Sequence, residues 1–152
     1  MRITWARGGM ISRKRNGAFR EQIGYLKVQN PQEAGNHNAC NNDLLELGML
    51  CKQAIEDDNL RTCLAIHAVG FLVHFYLMEP QADGLYLLTE VVHLYFPRSV
   101  EDLLEIVNSA NKLKDVLRVF ETRGIVDVNG RDRVKRNTPA VADLEAVTVK
   151  SQ

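Results

Sequence analysis

The sequence predicts a mainly α protein: a helical N-terminal segment behind a basic arm, followed by a helical unit that closes on a short β-hairpin. Apolar residues recur at three- and four-residue spacing from Leu44 to Phe120, as amphipathic helices require. Asp57-Asp58-Asn59, Pro80 and Pro97 interrupt that run at helix-length intervals, where caps and stops belong. After Gly124 the pattern changes to Ile125-Val126-Asp127-Val128, Asn129-Gly130 and a second short run. Asn-Gly between β-prone runs is a strong hairpin signal, because both residues tolerate positive φ.

Taken in order, residues 1–41 show no sustained period. Gly8-Gly9, Gly17, Gly24, Pro31 and the Asn-rich run from Asn36 to Asn42 break any helix. They read as a basic flexible arm, with a short extended piece around Ile23–Val28. Residues 42–80 read as a two-helix segment. Its first helix runs from about Asp43 to Glu56, capped by Asn42, with Leu44, Leu47, Leu50, Cys51, Ala54 and Ile55 on one side. Its second, about Leu60–Met78, is apolar nearly all round and is expected to be buried on most sides. A third helix, about Gly84–Phe96, starts from Asp83 and ends at Pro97. From Val100 to Arg123 the spacing allows one long helix or two; the two-helix reading, broken near Asn108-Ser109, is preferred, since Asn and Ser favour caps. Residues 137–152 are a tail or short helix, with Pro139 at a possible first helical position.

Composition bounds the class. A chain of 152 residues with 45% hydrophobic and 25% charged side chains can bury a core without staples. Three cysteines, an odd number, argue against a secreted disulfide framework, so an intracellular location, cytoplasmic or nuclear, is expected. The greasiest stretch, from Cys63 to Met78, contains His67 and His74 and is short for a membrane span; no membrane partner is expected. The net charge of zero hides a division. Residues 1–39 carry seven bases and two acids, residues 40–110 three bases and eleven acids, and residues 111–136 eight bases and four acids. Basic ends around an acidic middle suggest an anionic partner.

Residues 83–136 resemble a winged helix-turn-helix domain of the kind found in bacterial regulators of the multiple-antibiotic-resistance type. The residues carrying the resemblance are Ser109, Leu113, Leu117, Phe120, Glu121, Gly124 and Ile125-Val126, preceded by Ser99-Val100-Glu101-Asp102-Leu103-Leu104. The resemblance implies a recognition helix capped by Ser109, with Leu113, Leu117 and Phe120 inward. Asn111, Lys112, Lys114 and Arg118 would then face double-stranded DNA, and Arg131, Arg133, Lys135 and Arg136 would sit on the wing. It implies a DNA-binding transcriptional regulator. The apolar surface of Leu60–Met78 points to a homodimer, through Leu64, Phe71, Leu72 and Phe75. The rival expectation is a non-enzymatic, all-α protein–protein adaptor, which the acidic middle favours.

No catalytic constellation emerges: the chain has no Walker-type phosphate loop and no G-x-S-x-G elbow. Cys63, His67 and His74 would share one face of a helix and could, with Cys51 or His93, approach a zinc set. Cysteines and histidines satisfied in a core explain the same letters, so no metal, no cofactor and no enzyme activity are expected.

Overall fold

The computed structural model describes residues 8–33 and 35–123. The described chain forms strands β1 (Gly8–Arg15) and β2 (Ala18–Gln29), helix α1 (His37–Asp57), strands β3 (Cys63–Val69), β4 (Leu72–Pro80) and β5 (Tyr86–Tyr95), and helix α2 (Leu103–Arg123). The five strands lie in one sheet in chain order. All neighbours are antiparallel except β2 and β3, which run parallel. A parallel step needs a long crossover, and α1 supplies it.

This is an α/β protein, and the mainly α expectation is corrected. The run expected to be one buried helix at Leu60–Met78 is the β3–β4 hairpin. Its turn is Gly70-Phe71, with Gly70 at φ 61°, the residue that opens a II′-type hairpin turn. Both of its strands are flanked by other strands and have both faces covered, so the sequence there is apolar all round. Length and a missed glycine turn separate this case from a helix; periodicity does not. The expected helix at Gly84–Phe96 is β5, where Thr89, Val91, Val92 and Tyr95 favour the pleat over the helix. The expected break near Asn108-Ser109 is absent, since α2 is continuous from Leu103 to Arg123. The helix-turn-helix layout expected over residues 83–123 is therefore a strand followed by a single helix. The hairpin expected at Asn129-Gly130, the turn at Gly124 and the tail at 137–152 lie outside the described residues. Gly8–Gln29, expected within the arm, forms two paired strands.

The first helix survives, six residues longer at its start. Asn36, not Asn42, is the N-cap, and its side chain accepts from the Ala39 N–H at 3.2 Å. At its other end Asn59 takes φ 52°, while the Leu60 N–H donates to the Ile55 carbonyl at 3.1 Å. This is the left-handed stop that Asn tolerates better than most residues.

Each helix covers one face of the sheet. Leu47, Cys51, Ala54 and Ile55 of α1 pack with Leu60, Cys63, Ala65 and Met78. Val116 of α2 packs with Ala68, Val73, Phe75 and Leu94. These sets alternate along β3 and β4, which places them on opposite faces. The inward stripe of α2 is Leu113, Val116 and Phe120. Leu117, expected inward, is 59% exposed. No helix among the described residues is long and apolar enough to cross a membrane.

Candidate functional site

The ribbon formed by β1 and β2 outruns its sheet. β3 pairs only with Gly24–Gln29 of β2, so the part of β2 from Ala18 to Ile23 has β1 alone beside it. Six residues at strand rise project about 20 Å. The tip is Asn16-Gly17, at φ 52° and 82° between the paired Arg15 and Ala18. Two positive φ values in a two-residue loop define a I′ turn, whose twist matches the strands. Around it lie Arg13, Lys14, Arg15 and Arg20, with no acid between Arg13 and Arg20. Lys14 is exposed and Arg13 half-buried. The root is clamped where β3 begins too late to pair. The Gln22 N–H donates to the Asp58 carboxylate at 2.8 Å, and the Tyr25 hydroxyl donates to the Gln22 side-chain oxygen at 2.5 Å. Register shifts opposite Ile11–Ser12 and Ser12–Lys14 each leave one extra residue on β2 and bend that strand there.

The sequence-derived DNA residues divide. Asn111, Lys112, Lys114 and Arg118 are all exposed on α2, and Asn111, Lys114 and Arg118 recur at helical spacing on its outer side. Arg131, Arg133, Lys135 and Arg136 lie outside the described residues. Since α2 packs on β5, its bases and the ribbon's stand toward opposite edges of the sheet, whose outer strands are about 19 Å apart by four strand spacings.

The expected dimer residues do not share a surface. Phe75 is buried under α2, and Leu64 lies partly buried beside it on the same face. Phe71 is 42% exposed in the hairpin turn, under the Arg98 guanidinium at 5.7 Å. Leu72 alternates onto the other face.

On the α1 face the strand register lines up Lys27, His67, His74 and His93 across four strands. His67 is buried, with Nε2 3.7 Å from the Asp43 carboxylate of α1. Burial holds its pKa below the usual histidine value, against the pull of Asp43. Lys27 pairs with Glu46 of the same helix. At the far end, His93 Nδ1 donates to Glu90 Oε1 at 2.8 Å, and His74 Nδ1 stands 3.3 Å from Glu90 Oε2. The His93 hydrogen bond, with help from His74, holds the Glu90 carboxyl below its usual range. Cys63, considered with these histidines, is elsewhere: it lies in the α1 core, where a hydrogen bond with Cys51 and burial push its thiol pKa up. Helical spacing would have brought Cys63 close to His67. On a strand, four residues separate them by about 13 Å.

Two of these features escaped the sequence reading. Asn16-Gly17 is the same dipeptide as Asn129-Gly130 and was legible as a turn, but its flanks are basic and break the apolar alternation that marks a hairpin. The Glu90–His93 convergence leaves no signal in spacing alone.

Fold and surface together define an α/β protein with a projecting basic β-ribbon. No family model, no curated protein and no solved structure matches the chain.

Proposed function

We propose that this protein is a non-enzymatic, intracellular binder of double-stranded DNA that contacts the duplex through its β1–β2 ribbon and acts in transcription regulation as a homodimer. The observation that carries the reading is the ribbon: a two-stranded element free of its sheet, with four bases at a tight turn. A two-stranded β-ribbon fits the major groove, and ribbon readers use it so. Arg and Lys at its tip neutralise phosphates. Asn111, Lys114 and Arg118 form a secondary polar stripe on α2, with two bases, for a duplex that bends around the sheet edge.

The homodimer reading rests on the face opposite α1. Ile11 and Leu26 are half-buried there and Val28 is 40% exposed, while α2 lies over β5 at the other side. A second copy joined through this surface presents two ribbons related by a two-fold axis, as a palindromic duplex does.

A mobility-shift titration at two salt concentrations tests the reading. Four phosphate contacts give a slope of about −3.6 in log K against log salt, or on the order of 100-fold weaker binding between about 50 and about 200 mM salt. Replacing Arg13, Lys14, Arg15 and Arg20 by Ala is expected to remove most of that slope. The same variant in sedimentation stays dimeric, because the ribbon tip is away from the dimer face. Full affinity and an unchanged slope in the variant would discard the ribbon as the DNA-binding element.

A further inference from the structure

We propose that His74, Glu90 and His93 form a binding site for a divalent transition-metal ion of the zinc class. This inference is independent of the DNA reading. It begins with a defect in the sheet. β4 and β5 pair as Phe75 with Val92 and then Tyr76 with Glu90, leaving Val91 as an extra residue. In a regular strand, Glu90 and His93 are three apart and point to opposite faces. The bulge at Val91 inserts one residue and brings both to the face that His74 occupies. His74 is the direct cross-strand partner of His93. Bulges re-aim side chains in this way beside functional sites.

The donor atoms converge. His93 Nδ1 lies 2.8 Å from one Glu90 oxygen and His74 Nδ1 lies 3.3 Å from the other. One ligand atom from each residue falls within 4.8 Å of the others. A tetrahedral ion with bonds near 2.1 Å needs ligand atoms about 3.4 Å apart, so small rotations of the two rings complete the set. The two imidazoles tilt toward each other, with ring centroids 5.6 Å apart at 48°.

His74 Nδ1 is buried and makes no well-formed hydrogen bond, although Glu90 Oε2 stands 3.3 Å away. A buried polar atom that is poorly paired is costly, and a metal bond would satisfy it. Two imidazoles and one carboxylate select zinc, copper or nickel over magnesium or calcium, which prefer all-oxygen sets. The ligands stand on two paired strands, which hold geometry better than loops. His93 is 54% exposed at its side chain, so the fourth position faces solvent and is open to water or to a group on a ligand.

The test uses the full-length, tag-free protein stripped with a chelator. Co(II) is titrated with visible absorption as the readout, and Zn(II) by calorimetry. The expected result is one equivalent bound, with ligand-field bands for Co(II) and no response to Mg(II). Glu90→Gln and His93→Ala each weaken affinity on the order of 100-fold or more, beyond what loss of an outer partner costs. His37→Ala, at the exposed start of α1, leaves affinity unchanged. Thermal melts give a second readout: Zn(II) raises the Tm of wild type and not that of the two ligand variants. Wild type that takes up neither ion overturns the proposal. So does uptake that persists at full affinity in Glu90→Gln and His93→Ala.

Discussion

Gly24→Val is expected to destabilise the fold by about 3 kcal/mol, at the upper end of overpacking costs. A Cβ at this position would stand 2.8 Å from the Leu64 carbonyl oxygen, 3.1 Å from the Leu64 Cβ and 3.2 Å from the Ile11 Cδ1. The first of these is backbone of the parallel neighbour and cannot swing aside. Gly24 is also where β3 first pairs with β2, so the strain falls on the step that joins the ribbon to the sheet. Gly35→Ala is the control, because a Cβ there meets nothing within 4 Å; it is expected to change stability by less than about 0.5 kcal/mol. Urea denaturation of both variants beside wild type checks the result. Equal midpoints for Gly24→Val and wild type would mean that β2 and β3 do not approach as described.

Leu47→Ala is expected to cost about 3 kcal/mol, within the range for large-to-small core changes. Leu47 is fully buried at the centre of the α1 face, among Cys51, Ala54 and Leu60. Those neighbours come from a helix and the loop that follows it, and they cannot collapse far into the space left. Leu45→Ala, on the opposite side of α1 and 48% exposed, is expected to be nearly neutral. Similar losses at both positions would reverse the orientation assigned to α1.

Leu47 was legible in the sequence and Gly24 was not, and the difference is physical. The inward face of α1 comes from contacts repeated every three or four residues within one segment, so Leu47, Cys51, Ala54 and Ile55 announce it locally. Gly24 is glycine because of Leu64, forty residues away. In the sequence Gly24 registers only as a residue that breaks helices. The same limit explains α2. Leu113 and Phe120 point inward as expected, but whether Val116 or Leu117 completes the stripe depends on where β5 lies beneath the helix. Val116 is 5% exposed and Leu117 59%.

The sequence by itself determined most of the stretch that makes α1, the basic runs on either side of the acidic middle, the loop between Asp57 and Leu60, and the concentration of apolar residues between Cys63 and Met78. These follow from composition and from interactions a few residues long. The tertiary structure decided that the apolar stretch is two strands, because its backbone edges pair with β2 and β5 and its two faces are covered by the two helices. It also decided that Arg13, Lys14, Arg15 and Arg20 ride on a ribbon, since that depends on where β3 stops pairing. The meeting of His74, Glu90 and His93 depends on one unpaired residue, Val91, and on the register of β4 against β5. A one-residue change in register reverses which face a side chain occupies, and no spacing within a single strand specifies the register between two.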